Sequence, residues 1–275
     1  VSRAAFRKGI PSLFNSFKTM FSECDKERIM RDLVEHMVES LKHSSRLPGS
    51  DVEEELSCRF WAEYYLVQHY DFIEEYDQAL ALVNGMIERS PASTELLMTK
   101  ARILKHVGDF EQAKDVMDEA RKLDLADRFI NSKATKYLLR YGDTEKAEST
   151  IKMFVRQDVS FKLQELMDMQ CIWYIYETAR AHHRKNSLGL ALKYYRQVEK
   201  VFNDFYDDQL DFHLYSLRKC TLRSYIKMIE WADKVFTRRE FVDALLGAIE
   251  CYLQLFDEMP SDKKVALASD ANDSA

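Results

Sequence analysis

Glycine and proline are scarce in this sequence, 7 and 4 among 275 residues. The glycines stand singly at positions 9, 49, 85, 108, 142, 189 and 247. No Gly-rich loop can therefore cradle a phosphate, which excludes both a P-loop and a dinucleotide fingerprint. His182-His183 is the only histidine pair, and no HExxH motif accompanies it; a solvated helix end accounts for it better than a metal does. Serine, histidine and aspartate are present, but no strained nucleophile turn is, so no triad can be argued. The five cysteines, Cys24, Cys58, Cys171, Cys220 and Cys251, share no metal-ligand or redox spacing and read as buried thiols of an intracellular protein. No run of about 20 apolar residues exists to span a membrane. No signal-peptide pattern follows Val1, and a chain that opens on Val reads as a piece of something longer. A formal charge of −6 argues against a general or sequence-specific nucleic-acid binder.

What is present is a repeated turn. Glu74-Glu75-Tyr76-Asp77-Gln78-Ala79 is followed by Gly108-Asp109-Phe110-Glu111-Gln112-Ala113 and by Gly142-Asp143-Thr144-Glu145-Lys146-Ala147. The three alanines are 34 residues apart, the length of a tetratricopeptide repeat. Large residues recur in step around them: Leu66, Tyr70, Tyr76 and Val83; Leu104, Phe110 and Met117; Leu138, Ile151 and Phe154. A small residue lets the second helix of a hairpin approach the first, and large ones fill the flanking grooves. Ala191 takes the small position of a further pair after an interval of 44, so about ten residues are inserted there. The spacing predicts an all-α solenoid of helical hairpins, a segment of right-handed superhelix, whose usual work is to hold another molecule.

Along the chain, 1–46 reads as two helices continuing the solenoid, the second carrying Ile29, Leu33, Met37 and Leu41 at helical spacing. Residues 47–57 read as a loop, with Glu53-Glu54-Glu55 a solvated helix start. Residues 58–257 hold the repeats and a C-terminal helix pair, with a linker near 156–168 and a long helix from Asp207 to about Trp231. The Ser-, Asp-, Ala- and Lys-rich segment 258–275 reads as a disordered tail. Trp61-Tyr64-Tyr65 and Trp173-Tyr174-Tyr176 read mainly as inter-helix core.

Bases gather where the repeat register places the groove-facing side of first helices. The second repeat contributes Arg102, Lys105 and His106; the third contributes Ser132, Lys136 and Arg140, with Arg128 and Lys133 nearby. Converging cations make an anion site, for carboxylate or phosphate. The alternative is a solvated face with partners such as Glu111 and Asp115.

Two stretches go beyond generic repeats, MDEARKLDLADRFINSKATKY from Met117 to Tyr137 and DDQLDFHLYSLRKCTLRSY from Asp207 to Tyr225. With Arg7-Lys8-Gly9-Ile10-Pro11 and the segment from Glu63 to Asp71, the chain closely resembles the auxiliary subunits of the N-terminal acetyltransferase A (NatA) complex. The similarity runs from about Arg7 to Asp257 and weakens at 157–165 and 227–240. The resemblance implies a long helical horseshoe that wraps and activates a small catalytic acetyltransferase. It also implies a cytoplasmic, co-translational role, acetylating nascent chains at small first residues after removal of the initiator Met. Ribosome anchoring would run through regions outside this chain. Family members hold inositol hexakisphosphate at the subunit junction, and the matched positions here are Lys105, His106, Arg128, Lys133 and Lys136. No cofactor of the chain's own is implied, and the missing CoA-binding loop fits a subunit that does no chemistry. The rival readings are a free-standing tetratricopeptide adaptor gripping acidic peptide tails and an acetyltransferase acting alone.

Overall fold

The computed structural model describes residues 2–22, 25–155 and 162–260. Cys24 and the expected tail from 261 onward lie outside them. Among the described residues the chain is all-α, with one isolated antiparallel bridge between Arg46 and Glu53. It divides into two compact units within one helix, at Asn131–Ser132.

The repeated turn has one construction throughout. Glu74, Gly108, Gly142 and Asn186 each stand five residues before a small alanine, and all four adopt positive φ, at 65°, 97°, 108° and 56°. After Gly108 and Gly142 an aspartate opens the next helix, the Asp109 and Asp143 side chains accepting from the Gln112 and Lys146 amides. Each such cap contributes about 1 kcal/mol. The left-handed residue closes the first helix, with Asp109 N–H donating to Leu104 O and Asp143 N–H to Leu138 O. Glycine adopts this backbone without strain; Glu74 and Asn186 show that the turn forms without it. Ala79, Ala113, Ala147 and Ala191 are all fully buried, as the close-approach argument requires.

In the first unit, α1 (Ser2–Lys8), α2 (Leu13–Lys18) and α3 (Lys26–Ser44) pack around α4 (Leu56–Phe72). The N-terminal region thus holds three helices where two were expected, with Ser12 immediately before α2. The buried stripe of α3 is Val34, Met37, Val38 and Leu41; Ile29 and Leu33 are exposed. The expected stripe was one position out of phase over its first turns. α5 (Tyr76–Arg89) pairs with α4, and α6 (Thr94–Val107) with α7 (Phe110–Leu123). Glu54 is not a solvated helix start: Arg7 donates to it, 2.8 Å from Nε, and holds its carboxyl below the usual carboxylate range.

The division falls in α8 (Arg128–Tyr141). In the second unit, Leu138 and Leu139 of α8 share a core with Ala147 and Ile151 of α9 (Thr144–Ile151), Leu166 of α10 (Lys162–Asp168) and Tyr174 of α11 (Ile172–Arg184). Part of the expected linker is therefore helix, because Leu166 has a core to enter. α12 (Leu188–Asp207) pairs with α11, and α15 (Arg239–Glu258) packs on both. The expected long helix is instead two, α13 (Gln209–Arg218) and α14 (Leu222–Ala232), parted where Cys220 takes φ 54°. Cys220 is exposed, Cys171 half-buried, and Cys58 and Cys251 buried. Tyr64, Tyr65 and Tyr174 are core, while Trp61, Trp173 and Tyr176 are half-buried against it.

Candidate functional site

The basic side chains occupy repeated places. Arg102 and His106 stand eleven and seven residues before Ala113, and Lys136 and Arg140 stand eleven and seven before Ala147. Residues four apart share a helix face, so each first helix presents a pair of basic side chains.

In the first unit the pair on α6 closes on Asp71 of α4. Arg102 Nε is 3.2 Å from Asp71 Oδ2, and His106 Nδ1 is 2.6 Å from Oδ1. The Asp71 side chain is 7% exposed, so the basic side chains beside it replace the water its carboxyl has lost. Phe14, Lys18, Phe72, Glu74 and Tyr76 are among the other residues lining a cavity of about 320 Å³ here. Lys105 is half-buried in the last turn of α6, and Arg128 is exposed at the start of α8.

In the second unit the pair on α8 closes on Glu177 of α11. Lys136 Nζ is 3.4 Å and Arg140 Nη2 3.1 Å from Glu177 Oε1. The Glu177 side chain is 4% exposed, and its Oε2 has no hydrogen-bond partner. Ser132 is half-buried and Lys133 exposed on α8. The five expected inositol-phosphate residues thus fall in both units: Lys105, His106 and Arg128 in the first, Lys133 and Lys136 in the second.

Arg102, His106, Lys136 and Arg140 meet their acids on neighbouring helices rather than at Glu111 and Asp115. Glu63 repeats the arrangement, fully buried and bonded to Arg59 and Arg89 at 2.9 and 2.5 Å. The chain builds buried carboxylates that each gather two basic side chains, an arrangement in which removing one partner costs far more than the pair gains. Among the described residues no group of three or more His, Cys, Asp or Glu could hold a metal ion, and no helix is long and apolar enough to cross a membrane. His182 and His183 lie half-buried in the last turn of α11. His182 stacks on Tyr194 at 5.7 Å, which explains why the pair is less solvated than expected.

A family model described as N-terminal acetyltransferase A, auxiliary subunit, matches residues 2–275. The chain belongs to the NatA auxiliary-subunit family. It is 40% identical over 254 residues to the N-terminal acetyltransferase A complex auxiliary subunit NAA15 of Arabidopsis thaliana, covering 92% of this chain and 28% of that protein. It is 38% identical over 265 residues to N-alpha-acetyltransferase 16, NatA auxiliary subunit, of Mus musculus, covering 95% of this chain and 31% of the relative. A solved structure of Naa15/Naa10 bound to HypK-THB superposes with a TM-score of 0.82 at 38% identity, over 94% of this chain and 38% of the matched one. The chain therefore spans about 30% of the length of the curated relatives it matches.

In this NatA-family chain, sequence reasoning found the cations and missed the acids that hold them. It also missed Arg180 and Arg184, which stand eleven and seven residues before Ala191. The same offset would have found them.

Proposed function

We propose that the chain is part of a non-catalytic auxiliary subunit of a NatA-type N-terminal acetyltransferase, serving as the helical scaffold on which the catalytic subunit is held. The observation that carries this reading is the family match from residue 2 to residue 275. The likeness to an Naa15 chain bound to Naa10 agrees with it, and so does the lack of any Gly-rich phosphate cradle in the sequence. The free-standing adaptor reading is not favoured, since the relatives are named as subunits of one complex. Co-translational action at the ribosome and a cytoplasmic location belong to the same proposal. A pull-down of the full-length protein read by mass spectrometry tests it: the catalytic acetyltransferase should be recovered in amounts close to those of the bait. Recovery of chaperones in its place would restore the adaptor.

Within that reading, Lys105, His106, Arg128, Lys133 and Lys136 are the side chains that would hold inositol hexakisphosphate. Arg128 and Lys133 are exposed, within reach of a ligand from solvent. Lys136 and His106 already face Glu177 and Asp71, so the polyanion would share these cations with internal carboxylates. Bound ligand would stabilise the complex by mass action, about 2.7 kcal/mol at a hundredfold excess over its dissociation constant. Thermal melts of the complex with and without inositol hexakisphosphate should show a shift that added salt weakens. The K133E/K136E double reversal should remove it. An equal shift in the reversal would reduce these residues to a solvated helix face.

A further inference from the structure

The third pair of cations in the repeat register lacks what the first two have. Arg180 and Arg184 occupy on α11 the places of Arg102 and His106 on α6 and of Lys136 and Arg140 on α8. Those earlier pairs close on Asp71 and on Glu177. Among the described residues no carboxylate makes an ion pair with Arg180 or Arg184. Arg180 lies over the Tyr176 ring, 5.7 Å from its centroid. Arg184 donates through Nη2 to the backbone carbonyls of Leu139 and Arg140, at 2.8 and 3.2 Å. Those two bonds fix the guanidinium in place and leave the rest of its donor fork unused.

Both side chains face a cavity of about 620 Å³ between α11, α12 and α15. Its other charged walls are already engaged: Arg239 is 3.3 Å from Asp243 and His183 is 4.0 Å from Glu250. Burial, and after it the neighbouring Arg180, pull the Arg184 pKa below its ordinary value, and the more weakly acting Glu177 does not offset them. Tyr176, Tyr195 and Leu246 add ring and aliphatic surface to the same walls.

We propose that Arg180 and Arg184 bind an aspartate or glutamate side chain of a partner protein, supplying to that partner the socket of two basic side chains that Asp71 and Glu177 fill from within the chain. The charge balance selects the ligand. Three guanidiniums face two carboxylates across the cavity, a surplus of one positive charge among these groups. A single carboxylate matches that surplus. A phosphate carrying two charges exceeds it and meets Asp243 and Glu250. A planar guanidinium fork also suits a carboxylate geometrically, and the aromatic wall suits an apolar neighbour of the acid on a peptide.

The proposal stands apart from the inositol-phosphate reading, which uses other residues. Its test is fluorescence anisotropy on the full chain at low salt, with a labelled nonapeptide made of three Ser-Glu-Leu units and its Ser-Gln-Leu counterpart. The Glu peptide should bind about tenfold more tightly than the Gln peptide, the scale of one charge-assisted hydrogen bond. R180Q and R184Q should each erase that difference, and R180K should restore part of it. Arg180 is exposed, so R180Q should melt as the wild type does and report binding alone. Equal binding of the two peptides, or an undiminished preference in R180Q, would overturn the proposal. Displacement of the Glu peptide by an equal concentration of inorganic phosphate would also overturn it, in favour of a phosphate subsite.

Discussion

Gly247 lies in the interior of α15 where the helix crosses α12. A Cβ built there would stand 2.4 Å from Cζ of Tyr195, 2.6 Å from its hydroxyl oxygen and 2.8 Å from Cε1. Carbon atoms pack comfortably at about 3.5–4.0 Å, so Gly247→Ala must drive ring and helix apart by roughly 1 Å. Tyr195 is 3% exposed and packs in the core that holds Ala191, Val198 and Ala244, so its ring can yield only toward the cavity it lines. Alanine gains about 1 kcal/mol over glycine in helix propensity, whereas overpacking a fitted core costs about 1–3 kcal/mol. A contact this short belongs at the upper end, so the net loss should be about 1–2 kcal/mol. Gly85 in α5 is the control, because nothing lies within 4 Å of its added Cβ. Gly85→Ala should gain about 0.5–1 kcal/mol. For a chain of this size 1 kcal/mol moves Tm by about 2–4 °C. Thermal melts should therefore raise Tm for Gly85→Ala and lower it for Gly247→Ala. Tyr195→Leu should remove most of the penalty in the double variant, a non-additivity expected of touching residues. If Gly247→Ala melts at or above Gly85→Ala, the α12–α15 contact is not as described.

Three further outcomes follow from the same structure. Ala113→Leu puts a large side chain at a fully buried helix–helix approach and should cost about 1–3 kcal/mol, read as a lower melting temperature. Glu177→Gln leaves Lys136 and Arg140 without their acid; because their side chains keep 31% and 28% exposure, the loss should be about 1–2 kcal/mol, below the roughly 3–5 kcal/mol of a fully buried broken pair, as urea denaturation would show. Burial, and secondarily Lys185, lowers the pKa of His182, so the folded state disfavours its charged form. Its contribution to stability is complete above the unfolded value of about 6.5 and is lost as pH falls through that value toward the folded one. His182→Gln should flatten the stability profile in that window, and an unchanged profile would assign the dependence elsewhere.

The repeat was legible because it rests on local chemistry. The small alanines, the Gly108-Asp109 and Gly142-Asp143 turns and the 34-residue interval each follow from sterics within a few residues. Glu74 and Asn186 in left-handed backbone were not, since neither residue type demands that conformation. The break at Cys220 was hidden for a like reason: the apolar stripe from Leu214 to Ile229 continues at helical spacing across a turn that no Gly or Pro marks. The cations of the candidate site were visible as residue types. Their partners were not, because Asp71 and Glu177 reach Arg102 and Arg140 from 31 and 37 residues away, and pairing at that range depends on how hairpins stack. Arg180 and Arg184 were obscured by the longer interval before Ala191, although their offset from it is the one seen twice before.

The proposed role is that of a scaffold that does no chemistry of its own. The direct measurement is reconstitution of the full-length protein with the catalytic NatA subunit, followed by gel filtration and an acetylation assay on a peptide with a free N-terminal serine. A scaffold should co-elute with its partner as one complex, raise acetyl transfer above the rate of the catalytic subunit alone, and transfer no acetyl group by itself. Separate elution with no gain in rate, or acetyl transfer by this protein without its partner, would contradict it.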